Sequence, residues 1–154
     1  MLASLQMAPK QPDSCEFDRD KLLLRLDITF AAEVGVVTTV VDRILDLARE
    51  SGCLEGKEFE VQTALLEALT NAVVHGCKED KKKDVRVTAS CDLSRGILIV
   101  VRDPGVGFDW NSVPSPIQGD RIFSSHGRGI FLINQLMDEV SFKRGGTEIR
   151  MLKK

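Results

Sequence analysis

The sequence predicts an α+β domain, a two-layer sandwich in which helices cover one face of a mostly antiparallel mixed sheet. The predicted elements follow the order β-α-α-β-β-loop-α-β-β, which favours a layer of helices on one face of such a sheet. Apolar residues recur on one side of each predicted helix, as a helix that lies on a sheet requires. The predicted strands show either period-two alternation or a short apolar run. At 154 residues the chain fits one domain with a real hydrophobic core.

The composition excludes several classes of function. Lys and Arg number 21 against 23 Asp and Glu, so the chain has no electrostatic footprint for nucleic acid or an acidic membrane surface. No apolar run approaches the roughly 18 residues of a membrane span, and the N-terminus lacks the features of a signal peptide. The cysteines have no CxxC spacing, so we expect no zinc site but reduced thiols in a cytoplasmic protein: Cys15, Cys53, Cys77 and Cys91.

The first half of the chain predicts an arm, a strand and two helices. Residues 1–20 contain prolines and no sustained period, which is typical of a flexible N-terminal arm, and residues 21–154 form the domain. Residues 22–29 alternate as a strand does. A helix is predicted for residues 32–52, although its many valines have low helix propensity. A second helix is predicted for residues 58–77.

The second half predicts four strands, a long loop and one helix. Residues 85–90 alternate as a half-exposed strand, and the apolar run 97–101 is suited to a central strand. Residues 109–125 contain two prolines and little periodicity, and long loops of this kind are functional lids or disordered. A third helix begins near Gly127. The last two strands are predicted at residues 139–143 and 147–152.

The second helix carries chemically useful side chains along one edge. Glu67, Asn71 and His75 are spaced by four, so we expect them to line one ridge beside the buried face. A carboxylate, an amide and an imidazole on one ridge can serve binding or proton transfer. Such residues are also ordinary on the wet side of any helix, and this alternative stays open.

Two segments are rich in glycine, one directly after the apolar strand 97–101 and one at the start of the third helix. Asp103, Gly105 and Gly107 come directly after the apolar strand, where glycines allow a sharp turn and close approach to a ligand. An Asx turn with glycines for geometry explains the same residues. This segment alone does not decide between the two.

The second segment opens the third helix with Gly127, Arg128 and Gly129. Free backbone N–H groups at a helix start form a site for phosphate, and the Arg128 guanidinium adds positive charge. The alternative is a simple helix N-cap by Ser125. No Gly-Lys-Ser/Thr follows, so this is not a Walker loop. The pair of glycines before Thr147 is explained by a tight hairpin alone.

The order of these motifs resembles the Bergerat-type ATP-binding fold, whose members include type II topoisomerases and histidine kinases. EALTNAVVHG, DPGVGFD, HGRGIFLINQLMDEV and GGTEIRM look most like the small anti-sigma-factor serine kinases, which regulate bacterial sigma factors through partner switching. The resemblance covers residues 22–152. It implies ATP and Mg²⁺ as cofactors, with Asn71 as the Mg²⁺ ligand and Glu67 as the catalytic residue that orients or deprotonates the attacking hydroxyl.

The resemblance also implies how the nucleotide is held. Asp103 would accept a hydrogen bond from the adenine amino group, with Thr147 supporting it and Gly107 allowing close packing of the base. The helix start would wrap the phosphates when the loop of residues 109–126 closes. Arg128 departs from the family pattern, so its phosphate contact rests on charge alone. His75 is a candidate binding residue, for which we favour a structural role slightly over a phosphate contact.

Two functions follow from the resemblance and stay open at this point. The first is a homodimeric anti-sigma factor that phosphorylates a serine of its antagonist protein. The second is a nucleotide-binding regulatory module that sequesters a partner without kinase activity. The presence of both Glu67 and Asn71 favours the kinase. A detached histidine-kinase domain is disfavoured because the chain has no room for the dimerisation hairpin with its phospho-accepting histidine. No nucleic acid and no membrane are expected as partners.

Overall fold

A computed structural model of the chain describes residues 21–107 and 125–154, with the backbone alone for residues 125–127. Within these ranges, five strands and three α-helices follow the predicted order. No helix in the described ranges is long and apolar enough to cross a membrane. The predicted arm at residues 1–20 lies outside the described residues, as does nearly all of the loop predicted at residues 109–125.

The sheet has the strand order β1-β2-β3-β5-β4. Every neighbouring pair is antiparallel, so the parallel pairing expected of a mixed sheet is absent from the described strands. The reason is that β4 follows β3 through a helix and runs in the same direction, but β5 lies between them. The strands are β1 (Leu24–Ala31), β2 (Asp84–Asp92), β3 (Gly96–Arg102), β4 (Glu139–Lys143) and β5 (Glu148–Lys153).

The central strand β3 is apolar because both of its faces are buried. Ile97, Ile99 and Val101 belong to the main core beneath the helices. Leu98 packs with Leu152 of β5 in a second, smaller cluster on the opposite face. Period-two geometry sends alternate side chains to the two faces, so residues 97–101, where both faces are covered, are all apolar. The continuous apolar run therefore predicted the central strand correctly.

The first two helices lie on the core face of the sheet. Helix α1 (Val34–Glu50) buries Val37, Val40 and Val41, so packing overrides the low helix propensity of valine. Helix α2 (Glu58–Asn71) packs against α1 and buries Leu65 and Leu69 among other apolar residues. A π-helical segment, Ala72–Gly76, follows α2 directly.

The third helix, α3 (Ser125–Leu136), completes the helical layer by packing against α2. Its Ile133 is fully buried in the main core, and Met137 just beyond its end is also buried. The helices thus share one apolar cluster with the inward residues of the sheet. The predicted two-layer α+β fold is confirmed by this arrangement.

The prediction of four reduced cysteines is wrong for one pair. Cys53, which follows α1, and Cys91 of β2 are joined as a disulfide, with their Cα atoms 6.2 Å apart. The two positions are 38 residues apart, and only the tertiary fold brings them together, so no spacing rule could reveal the pair. Cys77 is a free, buried thiol. Burial and the nearby Asp103 carboxylate raise its pKa.

A buried carboxylate stabilises the end of β3. The Glu148 side chain is only 2% exposed and forms ion pairs with Arg102 of β3 and with Arg150, the latter at 3.0 Å. Burial by itself raises the pKa of Glu148, but the hydrogen bonds from Arg150 and Arg102 outweigh it, so the pKa is lowered. Since Arg102 precedes Asp103, this ion-pair group holds the strand end that leads into the candidate site.

Candidate nucleotide-binding site

The candidate site is a cavity at the carboxyl end of β3, between α2, α3 and the start of β5. Five of the residues predicted from the sequence line this single cavity: Asn71, His75, Asp103, Gly107 and Thr147. They come from three segments that are far apart in the sequence. Their convergence favours the binding interpretation over three independent structural explanations, one for each segment.

Asp103 is held in place by hydrogen bonds at its backbone and at its side chain. Its N–H donates to the carbonyl oxygen of Thr147 at 3.0 Å, which continues the pairing of β3 with β5. One carboxylate oxygen, Oδ1, accepts from the N–H of Gly105 at 2.8 Å. This is the Asx turn of the alternative interpretation, and it orients a carboxylate that lines the cavity. The turn and the binding role are therefore compatible.

The surroundings of Asp103 favour its neutral form. Burial raises the pKa of this carboxyl group, while the Gly105 N–H and the Lys83 ammonium oppose the rise. Perturbed carboxyl groups in clefts are typical of functional sites, although structural networks also produce them. Here the group lies in a cavity with apolar walls, as a selective hydrogen-bond acceptor for a ligand requires.

Gly107 permits a close approach of two backbone segments at the cavity wall. It has a φ of +75°, a conformation that side-chain-bearing residues rarely adopt. A Cβ atom at this position would overlap the carbonyl oxygen of Gly145 and lie 3.3 Å from Cγ2 of Thr147. The glycine therefore lets the turn after β3 pack against the segment before β5.

Glu67 and Asn71 meet the start of α3. A Cβ atom on Gly129 would lie 2.8 Å from Oε2 of Glu67 and 3.0 Å from Nδ2 of Asn71. The backbone of α3 therefore passes directly over the carboxylate and the amide of α2. Glu67 and Gly129 do not line the cavity themselves but adjoin it through Asn71. The ridge predicted for α2 is thus placed beside the glycine-rich helix start.

The geometry of this helix changes between Asn71 and His75. The chain changes from α to π geometry at Ala72, and the N–H of Cys77 donates to the Ala72 carbonyl at 2.8 Å, five residues back. The wider turn shifts the later side chains around the helix axis. His75 is exposed, yet it still lines the cavity with Asn71. Single π turns inside helices occur frequently at functional sites.

The remaining predicted residues lie at the edges of the site. Gly127 and Arg128 belong to the first turn of α3, and Arg128 is exposed. Arg128 does not line the cavity. The Thr147 hydroxyl donates to the Arg144 carbonyl at 2.9 Å, so its support of Asp103 runs through its backbone carbonyl. Gly105 contacts Asp103 from outside the cavity.

Sequence reasoning missed most of the cavity wall. The sequence pattern predicts a core face or a turn for the missed residues, because a cavity wall and a core face have the same apolar periodicity. Gly76 ends the helical motif and carried no separate signal. The missed lining residues are Ala68, Ala72, Gly76, Val101, Ile130, Ile133, Phe142, Gly146 and Ile149.

The residues present fit a nucleotide with a bound metal ion. An apolar slot whose described lining residues include one carboxylate, that of Asp103, suits a planar base with an exocyclic amino group. The amide oxygen of Asn71 is a hard ligand of the kind that Mg²⁺ accepts. The described residues contain no group of three or more His, Cys, Asp or Glu that could hold a metal ion. A protein site with one oxygen ligand suits Mg²⁺ that takes further ligands from phosphates and water.

Comparison with known proteins agrees with this geometry. Residues 30–153 match the family model of the histidine kinase-like ATPase domain. Relatives that carry the name serine-protein kinase RsbW occur in Staphylococcus aureus strains JH9, Newman and JH1. Each is 35% identical over an alignment of 101 residues, and the match covers 61% of this chain and 64% of the relative. The matched segment thus spans less than two thirds of these relatives.

The family match covers strands β2 to β5, the last two residues of β1 and the three α-helices, and it includes every described residue that lines the cavity. It also covers the segments that were predicted to resemble this fold from their motifs alone. The expected fold and the expected family are therefore confirmed. The chain belongs to the histidine kinase-like ATPase domain family.

Proposed function

We propose that this protein is an anti-sigma factor and an ATP-dependent serine kinase, which phosphorylates a serine of an anti-sigma-factor antagonist. The observation that carries the proposal is the contact of the α3 start with Glu67 and Asn71 beside the cavity. Phosphoryl transfer needs mainly positioning and charge neutralisation, and these residues offer a base, a metal ligand and free backbone N–H groups at one place. The name of the relatives in Staphylococcus aureus supports the serine specificity.

The adenine base is proposed to occupy the apolar part of the cavity. Asp103 accepts a hydrogen bond from the exocyclic amino group, and Gly107 leaves room for the base to lie against the backbone. Thr147 fixes Asp103 through the backbone hydrogen bond at 3.0 Å. His75 contributes to the rim of the cavity, since it lines the space and remains exposed.

The triphosphate is proposed to extend from the cavity towards α3. The free N–H groups of the first helical turn, that of Gly127 among them, hold phosphate oxygens, Gly129 lets the helix approach without a side chain, and the exposed Arg128 adds positive charge. Asn71 would hold Mg²⁺, which when bound would neutralise part of the phosphate charge. Glu67 accepts the proton of the substrate serine, and its carboxylate lies next to the same turn of α3.

The proposed partners are a sigma factor and its antagonist protein, and the proposed state is a homodimer in the cytoplasm. Phosphate on the antagonist serine adds close to two negative charges to an interface shaped for a hydroxyl, so phosphorylation should weaken its binding. The near-balanced charge of the chain gives no reason to add nucleic acid or membrane as partners. Size-exclusion chromatography with light scattering tests the dimer, and titration of phosphorylated and unphosphorylated antagonist tests the switch.

A second candidate function is a regulatory module that binds nucleotide without transferring phosphate. Such a module would need the cavity and Asp103 but not the general base, Glu67. Two substitutions separate the candidates. We expect Glu67→Gln to retain ATP affinity within about twofold while losing at least 99% of phosphoryl transfer, because the amide cannot accept the serine proton. We expect Asn71→Ala to lose the Mg²⁺-dependent part of ATP binding.

The experiment combines labelled Mg²⁺-ATP with the purified antagonist protein and follows phosphate transfer for the wild type and both variants. ATP affinity is measured by calorimetry with Mg²⁺ and with a chelator. Transfer by Glu67→Gln at the wild-type rate would rule out its role as base. No transfer by the wild type, with intact ATP binding, would favour the regulatory module.

A further inference from the structure

The end of the helical motif touches the residue proposed to recognise adenine. Gly76 is the last residue of the π-helical segment and lines the cavity. A Cβ atom built on it would lie 2.6 Å from each carboxylate oxygen of Asp103 and would also overlap the carboxylate carbon. Such distances essentially never occur for real Cβ atoms, so a side chain here requires Asp103 to move.

The need for glycine at this position is steric rather than conformational. Gly76 is not among the glycines with positive φ, so its backbone can be adopted by alanine. The Asp103 side chain cannot yield easily, because its Oδ1 accepts from the Gly105 N–H at 2.8 Å. A Cβ on Gly105 would in turn lie 2.8 Å from that oxygen and overlap the Gly76 carbonyl oxygen. Gly76, Asp103 and Gly105 therefore form one interlocked unit.

We propose that Gly76 is a positioning residue for base recognition, which sets the orientation of the Asp103 carboxylate from the end of the metal-binding helix. The inference rests on the proposed function, in which Asp103 binds the adenine amino group. It adds a direct contact between the part of the site proposed to bind the metal and phosphates and the part proposed to bind adenine. The helix that carries Glu67 and Asn71 ends against the carboxylate that selects the base.

The main test compares Gly76→Ala with the wild type by calorimetry, using ATP and inosine triphosphate as probes. Inosine triphosphate has an oxo group where ATP has the amino group. We expect the variant to bind ATP about tenfold more weakly or worse and to lose most of the preference for ATP, because the displaced carboxylate no longer faces the amino group. A general loss of stability would lower both affinities together and leave their ratio unchanged.

The matched control is Gly35→Ala in α1. Gly35 is helical, has no positive φ and has nothing within 4 Å of an added Cβ atom. This substitution should leave both affinities and their ratio within about twofold of the wild type. An unchanged ratio in Gly76→Ala would overturn the inference.

Double substitutions with Asp103 separate this inference from the proposed function. If Gly76 acts through Asp103, Gly76→Ala combined with Asp103→Asn should bind ATP no more than about twofold more weakly than Asp103→Asn alone. Full additivity of the two effects would overturn the inference while the adenine role of Asp103 stands. An unchanged ATP preference in Asp103→Asn would instead remove the proposed base site, and the inference with it.

A measurement without nucleotide keeps the inference testable if Gly76→Ala folds poorly. Asp103→Ala removes the carboxylate that the new methyl group would meet. The double variant with Gly76→Ala should therefore unfold at a higher temperature than Gly76→Ala alone. A double variant that is less stable than both single variants would show that Gly76 does not act through Asp103.

Discussion

Asp103→Asn separates the ligand role of this carboxylate from its structural role. Asparagine has the same shape, and its Oδ1 can still accept the hydrogen bond from Gly105 that Asp103 accepts at 2.8 Å. The second position becomes an NH₂ group, which would face the amino group of adenine. Two donors then meet in a half-buried site from which neither can reach water freely.

The expected loss follows from the cost of that mismatch. A buried donor without an acceptor costs roughly 1–3 kcal/mol, which corresponds to about 5- to 150-fold in Kd. Because the surroundings of Asp103 are only partly buried, we expect a value near tenfold. Stability should respond in the opposite direction. The folded protein raises the pKa of Asp103, so its charged form is penalised at neutral pH, and removing the charge should not lower Tm.

Calorimetry with ATP at several pH values tests both parts. In the wild type, ATP affinity should decline on acidification at a pH above the ordinary Asp range near 4, because the raised pKa of Asp103 causes early protonation and loss of the acceptor. Asp103→Asn should show no such decline. Wild-type affinity in the variant at neutral pH would refute the assignment of the base site, and a lower Tm would refute the argument about burial.

Two further substitutions test the packing around the site. Gly129→Ala should reduce phosphoryl transfer roughly tenfold or more, because its methyl group would lie 2.8 Å from Oε2 of Glu67 and displace this carboxylate, the proposed general base. Labelled-phosphate assays measure the rate beside the Gly35→Ala control, and an unchanged rate would contradict the contact. Glu148→Gln should lower Tm by roughly 4–8 °C, since about 2 kcal/mol is lost when Arg150 and Arg102 lose their buried carboxylate. Because the folded protein lowers the pKa of Glu148, the stability that the ionised side chain adds is fully present above the unfolded pKa near 4.5 and is lost as the pH falls through the folded pKa. The difference in Tm between the wild type and Glu148→Gln should therefore close under acid conditions. A constant gap across this range would exclude a charge-based origin.

Local chemistry was sufficient to predict most elements of this fold. Helix α1 and strand β3 could be predicted from the sequence because the spacing of apolar residues reports which side of an element is buried. The apolar run 97–101 could be assigned to a central strand since both faces of β3 are covered. The motifs around Asn71, Asp103 and Gly129 pointed to the fold family, which the family match then confirmed.

Pairing between distant segments could not be read in the same way. The partner of β3 is β5 rather than β4, and this choice leaves every described pairing antiparallel. It depends on where α3 returns the chain to the sheet. The bond between Cys53 and Cys91 likewise depends on a turn and a strand end meeting in three dimensions.

The sequence by itself determined which chemical groups the site contains, because glycine turns, a helix ridge and a strand-end carboxylate are local features. Only the tertiary structure decided how they fit together. The π segment changes the helical turn that carries His75, and Gly76 packs against the side chain of Asp103, although the two residues are 27 positions apart in the sequence. Close packing is set by contacts between segments, and a one-dimensional pattern has no information about the distance between two side chains on different elements.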